Sequence, residues 1–385
     1  MKSFCDLQLL PTDSIFQLMA EYAQNLNPKK INLGIGVYRD ADGVPFVFKS
    51  IQKAAKNIQT ENFEYISIQG RKLFLDEVVR LVLGEKYMKT TAVQQTLGGT
   101  HALRMVADFF ETGKVLIGIP TWSNHLNIFR QFEVLTFPHI TDQKSFDLES
   151  YQKNIQSNPG SILILHGGAT HNPTGVNISK NQLDEVIELA NNNQIFTLID
   201  AAYLGFGEGI RKDVAWVRYI FEKLEKTAIA ISFSKNASLY NQRLGVLCWK
   251  AKEESQKCIL ESHLQQMVRT TISNLPDFGA SIMTEVFTNK NLRNAWLEDL
   301  EKVRMDINFR RKKLISLLPD RFGFLKNTKG LFGISDMNPG QVEFLKREYS
   351  IYMPSNGRIN FASLRNQDFS ILKKAFNMAY LKSGK

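Results

Sequence analysis

The stretch Phe196-Thr-Leu-Ile-Asp-Ala-Ala-Tyr203 is typical of a buried strand that leads directly into polar residues. Its first four residues do not alternate between polar and apolar, which indicates a strand buried on both faces, as in the middle of a parallel sheet. Comparable runs lie at 93–97, 115–119, 162–165, 228–231 and 244–249. Helix-like segments separate most of them, so the sequence predicts an α/β fold with a mostly parallel sheet.

One of the separating segments carries a helix-start signal, and the pattern changes after residue 250. Ser179-Lys-Asn-Gln182 has the spacing of a capping box. Beyond residue 250, charged amphipathic segments at 253–267 and 292–317 precede short strand-like pieces. We therefore expect an N-terminal arm (1–30), a large domain (31–290) and a small domain (291–385), which the N-terminal residues join.

The composition is that of a folded protein. The 385 residues are 43% hydrophobic, and no apolar run approaches the ~20 residues of a membrane helix, so we expect no membrane partner. The 48 basic residues exceed the 38 acidic ones and give a net charge of +10. Because the two kinds are mixed without a dense basic tract, we expect no nucleic-acid partner either.

The cysteines and the first residues bear on the compartment. Cys5, Cys248 and Cys258 are an odd number without C-x-x-C spacing, which favours reduced thiols over a disulfide framework or a cysteine metal site. Asp6 and Asp13 interrupt the apolar core that a secretory peptide needs, and a mitochondrial presequence avoids acids. We expect a cytoplasmic protein.

Polar loops follow several of the predicted strands. Gly98-Gly99-Thr100 precedes a helix-like segment, where free N–H groups suit an anion such as phosphate; a simple turn is the alternative. Asp200 and Tyr203 place a carboxylate and a phenol at the carboxyl edge of the sheet, where open α/β proteins bind ligands. For Asp200 alone, a helix cap is the alternative.

A lysine follows the strand at 228–231. Ser232-Phe-Ser-Lys235 ends this strand, and Arg243 comes eight residues after the lysine. A lysine just past a buried strand is partly desolvated and loses its proton more readily, as an imine-forming lysine must. Ser232 and Arg243 would bind a phosphate beside it. Taken by itself, without Ser232 and Arg243, Lys235 would be read as a solvated surface residue.

Two more loops complete a constellation. Trp122 offers an indole face for a flat ring, with core packing as the alternative, and Asn172 offers an amide for a hydroxyl. His166 and His171 are five residues apart, which matches no common zinc spacing, so we expect no metal site. Pyridoxal phosphate has a phosphate, a flat ring, a basic ring nitrogen, a hydroxyl and an aldehyde. Each of these groups finds a partner in the predicted loops.

The order of these segments resembles the fold-type I pyridoxal-phosphate aminotransferases, and within them the aspartate and aromatic amino-acid aminotransferases. The resemblance runs nearly end to end, from Ile31-Asn-Leu-Gly-Ile-Gly-Val-Tyr38 to Ser355-Asn-Gly-Arg358. It implies a large domain with a mostly parallel seven-stranded sheet flanked by helices, and a smaller α/β domain. It also implies ping-pong transfer of an amino group from an amino acid to a 2-oxo acid, with aspartate and 2-oxoglutarate as the expected pair.

The resemblance implies roles for individual residues. Lys235 would bind the cofactor covalently and move a proton, Asp200 would keep the ring nitrogen protonated, and Tyr203 would bind the ring hydroxyl; we expect these three to be catalytic. His125 matches the position behind Asp200. The other implied cofactor contacts are Trp122, Asn172, Gly99, Thr100, Ser232, Arg243 and Tyr65.

The resemblance also implies substrate contacts and a homodimer. Arg358 would bind the α-carboxylate, with Gly36, Trp122 and Asn172 nearby. Arg269 would bind the side-chain carboxylate of the substrate from the neighbouring subunit, and Tyr65 would reach the phosphate across the same interface. A single subunit would then lack a complete site.

The sequence departs from the family pattern in three places, and three alternative functions remain to be compared with an aspartate aminotransferase. Four residues separate His166 from His171, one more than usual; Ser238 replaces a common glycine; and the segment 329–333 matches loosely.

The alternative that keeps the same fold is an aromatic or broad-range aminotransferase. A regulatory protein that binds the cofactor would need a DNA-binding domain, for which the residues before Ile31 leave no room. A catalytically dead relative would lack Lys235 or Asp200.

Overall fold

The computed structural model describes residue 9 and residues 13–58, 64–167 and 170–382. Cys5 and Asp6 lie outside these ranges. Cys248 and Cys258 are free thiols, the first buried and the second exposed. Within the described ranges, no helix combines the length and the apolar character needed to cross a membrane.

The strands form one large sheet and two small ones. They are β1 (Ile31–Asn32), β2 (Thr91–Thr96), β3 (Lys114–Ile119), β4 (Glu133–Pro138), β5 (Ile162–His166), β6 (Phe196–Ala201), β7 (Thr227–Ser232), β8 (Gly245–Lys250), β9 (Phe332–Ile334), β10 (Ile351–Tyr352) and β11 (Arg358–Asn360). The large sheet has the order β2-β8-β7-β6-β5-β3-β4, and β8 runs antiparallel to both of its neighbours. The expected α/β fold with a mostly parallel seven-stranded sheet is confirmed.

Helices cover the sheet and continue beyond it. They are α1 (Ser14–Gln24), α2 (Lys49–Asn57), α3 (Lys72–Val82), α4 (Gly99–Phe110), α5 (Asn124–Ile128), α6 (Leu148–Ser157), α7 (Lys180–Asn192), α8 (Ile210–Lys223), α9 (Glu254–Thr271), α10 (Phe278–Thr288), α11 (Lys290–Leu317), α12 (Pro339–Tyr349) and α13 (Asp368–Lys382). Short 3₁₀ segments lie at Glu85–Tyr87, Asp320–Asn327 and Phe361–Ser363. The predicted capping box is present, because Ser179 and Gln182 cap α7 reciprocally.

The central strands are buried on both faces, as their unbroken apolar runs predict. Ile164 and Leu198 enter an apolar cluster with Leu103 of α4 on one face of the sheet. Leu163 and Ile199, each adjacent in the chain to one of these residues, enter a second cluster. Because side chains alternate along a strand, this division means that helices pack on both sides of the sheet.

One strand of the large sheet is absent from the predicted runs. β4 lies at the edge of the sheet, next to β3. Its residues are partly exposed, and only Phe137 of the six is buried. An edge strand needs no continuous apolar sequence, so the pattern that marks the inner strands does not mark this one.

The beginning of the chain lies against its C-terminal third. Ile31 and Asn32 pair in parallel with Ile351 and Tyr352 of β10. Asp13 caps α1, accepting from the backbone N–H groups of two helix residues, as its sequence position indicates. The domain bounds of 31–290 and 291–385 stay predictions, although the long helix α11 does begin at Lys290.

Trp296 connects α11 to the loop that carries Lys235, and replacing it tests how far that loop depends on the helix. Its indole N–H donates to the carbonyl of Asn236 at 2.8 Å, and the side chain is fully buried. Trp296→Phe leaves that carbonyl without its partner, so the free energy of unfolding should fall by about 1–3 kcal/mol. Denaturant titration measures the change.

The matched control is Phe309→Leu, an exposed position on the same helix. Its free energy of unfolding should change by less than about 0.5 kcal/mol. Equal stability of Trp296→Phe and the original chain would contradict the anchoring role.

Candidate active site

Eleven of the thirteen residues that the sequence predicts for the site line one cleft of about 570 Å³. They are Gly36, Gly99, Thr100, Trp122, Asn172, Asp200, Tyr203, Ser232, Lys235, Arg243 and Arg358. Tyr65 and Arg269 are not among the residues that line it. The structure therefore brings together loops that are as much as 322 residues apart in the chain, from Gly36 to Arg358.

The topology of the sheet explains this convergence. β2, β3, β5, β6 and β7 run in the same direction, so the loops after their carboxyl ends meet at one edge. β8 runs the other way, which brings its beginning to that edge. Arg243, two residues before β8, thereby lies near Gly99, the first residue of α4. The middle strand, β6, carries Asp200 at its end.

The backbone after β2 and the guanidinium of Arg243 form an anion cradle. Gly98 has φ +84°, and a Cβ there would lie 2.8 Å from Nη2 of Arg243. That Nη2 donates to the carbonyl of Leu97 at 3.1 Å, while Nη1 donates to Ser234 Oγ at 3.3 Å. Arg243 forms no ion pair with a described carboxylate. A helix start and an unpaired guanidinium are together suited to a phosphate.

Asp200 is a buried carboxylate supported by hydrogen bonds. Its Oδ2 lies 3.1 Å from Nε2 of His125, and its Oδ1 accepts from the N–H of Ala202 at 3.1 Å. Burial by itself would raise the pKa of Asp200, but the hydrogen bond from His125 and the charge of Lys235 outweigh it and hold the pKa below its usual value. Asp200 therefore presents a negative charge to the cleft at neutral pH.

Lys235 lies over the ring of Tyr203, with its Nζ 4.8 Å from the ring centroid. Burial lowers the pKa of this lysine, and Arg243 lowers it further, while Asp200 acts in the opposite direction. Burial raises the pKa of Tyr203, so its phenol stays protonated. An amine with a lowered pKa beside a neutral phenol suits covalent and proton-transfer chemistry.

Arg358 forms the far side of the cleft. Its Nη1 donates to Asn172 Oδ1 at 3.1 Å, and its Nη2 donates to the carbonyl of Gly34. Its Nε has no hydrogen-bond partner in the described part of the chain. Asn172 Nδ2 lies 3.4 Å from the hydroxyl of Tyr203. Arg358 is only 7% exposed and forms no ion pair with a described carboxylate. A buried, unpaired guanidinium suits a carboxylate ligand.

Tyr65 and Arg269 are surface residues of the single chain. Tyr65 is 86% exposed. Arg269 lies in the last turn of α9, and its Nη1 donates to Ser273 Oγ at 2.9 Å. The sequence predicts that both act in the site of a neighbouring subunit, and this stays a prediction.

Sequence reasoning placed His125 behind Asp200, where the structure has it, but it missed Phe332 and the stacking of four histidines near the cleft. Phe332 lines it, with its ring 4.5 Å from the guanidinium carbon of Arg358. Behind Asp200, four imidazoles are in contact in the order His125, His166, His171, His139, with centroid distances of 5.3, 4.1 and 3.6 Å. Burial lowers the pKa of His166 to about 3, so its ring is neutral. No spacing rule finds this stack, because its members come from three separate segments.

The departures from the family pattern have partly visible consequences. Ser238 has φ +53°, in the left-handed region that favours glycine. Residues 168 and 169, in the longer interval between His166 and His171, lie outside the described ranges.

In the part of the chain that the structure describes, no group of three or more His, Cys, Asp or Glu side chains could hold a metal ion.

Comparison with known proteins gives a consistent result. The family model described as aminotransferase class I and II matches residues 28–376. The cytoplasmic aspartate aminotransferase of Schizosaccharomyces pombe is 32% identical over 98% of both chains. The aromatic-amino-acid aminotransferase of Paracoccus denitrificans is 32% identical over 94% of this chain and 96% of its own.

A solved structure agrees with these relatives. The aromatic-amino-acid aminotransferase of Burkholderia pseudomallei, covalently bound to pyridoxal phosphate, has a TM-score of 0.92 and 30% identity. The match covers 98% of this chain and 100% of that one. The chain belongs to the class I and II aminotransferases, and it is an enzyme that depends on pyridoxal phosphate.

The residues present fit this cofactor. The cradle of Gly98, Gly99 and Arg243 matches a phosphate, and the ionised Asp200 matches a protonated ring nitrogen. Lys235, with its lowered pKa, fits the aldehyde, which requires an amine. The fit rests on charge and hydrogen bonding at three separate points of the cleft.

Asp200→Asn tests the charge at the end of β6 without changing the shape of the side chain. The dissociation constant of pyridoxal phosphate should rise about tenfold or more, because a hydrogen bond to a charged group contributes about 1.5–3 kcal/mol. Titration of the cofactor into the stripped protein, followed by absorbance, measures it. Asp184→Asn, at a surface carboxylate paired with Lys180, is the control and should bind the cofactor normally. Unchanged affinity in Asp200→Asn would show that another group faces the ring nitrogen.

Proposed function

We propose that this enzyme is an aspartate aminotransferase, which transfers the amino group of L-aspartate to 2-oxoglutarate and yields oxaloacetate and L-glutamate. The observation that carries the proposal is a pair of arginines without acidic partners. Arg358 lies in the cleft, Arg269 lies on the surface, and neither forms an ion pair with a described carboxylate. A dicarboxylic substrate requires two such cations, one for each carboxylate.

The residues of the cleft divide the work of this reaction. Arg358 binds the α-carboxylate through its two terminal nitrogens, with Asn172 and the backbone at Gly36 beside it. Trp122 would stack on the flat ring of the cofactor, and Tyr203 would bind the ring hydroxyl. Gly99, Thr100, Ser232 and Arg243 hold its phosphate. Pyridoxal phosphate, when bound, supplies an electron sink for the electron pair at the substrate Cα.

Lys235 and Asp200 perform the charge and proton steps of the proposal. Asp200 stays ionised and stabilises the positive charge of the ring nitrogen, while His125 keeps that carboxylate in position. Lys235 holds the cofactor and moves a proton to and from the substrate Cα. Its lowered pKa favours this role, because a base must be deprotonated to accept a proton.

A homodimer with shared sites completes the proposal. Tyr65 and Arg269 would each enter the partner's site, Tyr65 at the phosphate and Arg269 at the distal carboxylate. Their exposure on the single chain supports this arrangement. A cytoplasmic location is part of the same proposal, supported by the cytoplasmic relative in fission yeast.

The second candidate is an aromatic or broad-range aminotransferase. It is favoured by the aromatic-amino-acid aminotransferase of Paracoccus denitrificans, which is as similar to this chain as the aspartate relative is. Values of kcat/KM for aspartate, glutamate, tyrosine and phenylalanine separate the two. A preference for aspartate and glutamate supports our proposal, and a preference for tyrosine and phenylalanine rejects it.

Lys235→Ala tests the covalent attachment. The variant should fold and bind the cofactor only non-covalently, and transamination should be lost, because Lys235 is the one lysine among the described residues that line the cleft. Borohydride reduction of the original holoenzyme followed by peptide mapping should label Lys235. A pyridoxyl label on a different lysine would contradict the assignment of Lys235 as the point of covalent attachment.

Arg269→Leu tests the substrate. The variant loses two parallel charge-assisted hydrogen bonds to the distal carboxylate. The value of kcat/KM for aspartate should therefore fall by an amount that corresponds to about 3–5 kcal/mol of lost transition-state stabilisation. Activity with phenylalanine should fall far less, because its side chain has no carboxylate. Arg358→Leu is the comparison variant and should impair both substrates alike, since both present an α-carboxylate.

Subunit mixing places Arg269 in its own or its partner's site. In a dimer of one Arg269→Leu subunit and one Lys235→Ala subunit, one shared site has both residues intact and the other has both defects. The mixture should regain aspartate activity that neither parent has. No recovery despite demonstrated subunit exchange would reject the shared-site arrangement.

A further inference from the structure

A second cleft, of about 690 Å³, lies beside α11 and shares no lining residue with the active-site cleft. It is bounded by α11, by the loop after β6 and by the segment before β9. Six of its lining residues are cationic, and Glu208 is the acidic one among those described; the cations are Lys212, Arg304, Arg311, Lys312, Lys326 and Lys329. We call this the basic cleft. Its volume lies in the range of small-molecule sites.

Arg311 is the unusual member of the basic cleft. It is 4% exposed, and its guanidinium donates only to neutral oxygens, Oδ1 of Asn308 at 2.7 Å and the carbonyl of Gly330. Its Nε is buried and has no hydrogen-bond partner among the residues that the structure describes. Burial lowers the pKa of Arg311 to about 10. A buried cation without a counter-charge is costly for the folded state.

The neighbouring arginine shows what is missing. Arg310 is equally buried, at 5% exposed, but its guanidinium forms an ion pair with Asp306 at 2.6 Å. The two residues are adjacent on α11, and of the two only Arg310 has an acidic partner among the described residues. Arg311 has no described carboxylate within 4 Å that could play the part of Asp306.

The other charged residues of the basic cleft do not neutralise the cleft's positive charge. Glu208 pairs with Lys329 and, at 3.9 Å, with Lys212. Arg304 pairs with Glu301. Of the described cations that line the cleft, Arg311, Lys312 and Lys326 form no ion pair. One buried guanidinium and two exposed ammonium groups thus face the same space.

We propose that the basic cleft binds a small, multiply charged anion, with Arg311 as the buried contact and Lys312 and Lys326 as the outer ones. A guanidinium offers its N–H groups in a fixed fork that suits phosphate or carboxylate oxygens, whereas lysines add charge from flexible stems. The chemistry therefore selects a phosphate-bearing or polycarboxylate ligand. It is a ligand site in addition to the one where transamination occurs.

Calorimetric titration of the cofactor-saturated enzyme with inorganic pyrophosphate tests the proposal, at low ionic strength so that screening does not mask binding. One saturable site per chain is expected. A parallel titration with citrate distinguishes the source of the charge: binding of pyrophosphate alone assigns a phosphate site, and binding of citrate as well assigns a general polyanion site. Saturable binding of neither anion would overturn the proposal.

Charge-reversal variants locate the site. Lys312→Glu should raise the dissociation constant of pyrophosphate by about tenfold or more. Lys302→Glu is the matched control, an exposed lysine on the same helix that does not line the cleft, and it should bind normally. Arg311→Gln should abolish binding, provided that circular dichroism shows the native fold; if it does not fold, Lys326→Glu takes its place. Equal weakening in Lys302→Glu and Lys312→Glu would mean attraction by net charge alone and would reject a defined site.

Arg358→Gln separates this site from the active site. Pyrophosphate binding should be unchanged in this variant, because Arg358 lines only the active-site cleft. If Arg358→Gln abolished pyrophosphate binding and Lys312→Glu left it unaltered, the anion would belong to the active site and the basic cleft would carry no ligand.

Discussion

A carboxylate that must stay charged while buried at the end of the central strand governs the arrangement of the site. Asp200 is 7% exposed, and transferring an ion of this size out of water costs several kcal/mol unless hydrogen bonds and opposite charge compensate. His125 and the N–H of Ala202 provide the hydrogen bonds, and Lys235 provides the charge. His125 in turn lies 2.8 Å from Thr121 Oγ1. The loops after β3, β6 and β7 are therefore held together by one buried negative charge.

The parts of the fold that sequence could predict are those in which a local pattern has a single physical cause. Continuous apolar runs mark the inner strands because only burial on both faces requires them, and Ser179 with Gln182 marks the start of α7 because the capping box is local. β4 was absent from the runs because an edge strand is half exposed. The strands of the large sheet were predictable where both of their faces are buried, and the partly exposed edge strand β4 was not.

The same distinction applies to the site. Lys235, Asp200 and Arg243 were predictable because each lies at or near the end of a strand, so the topology alone brings them to one edge. Phe332 and the histidine stack were not, because they reach the site through packing between segments far apart in the chain. The resemblance to a family could suggest Tyr65 and Arg269, but composition and spacing could not, since both are exposed on the single chain.

Unpaired cations connect the proposed specificity with the basic cleft. A protein that buries a guanidinium opposite neutral oxygens bears a desolvation cost that a carboxylate neighbour would offset, as Asp306 does for Arg310. Arg358 and Arg311 both lack such a neighbour among the described residues, and in both the Nε has no hydrogen-bond partner. For Arg358, the proposed substrate carboxylate would supply the missing charge. Because both guanidinium groups are buried without a described carboxylate, the proposal of an anionic ligand for Arg358 extends to Arg311, with a second anion in a different cleft.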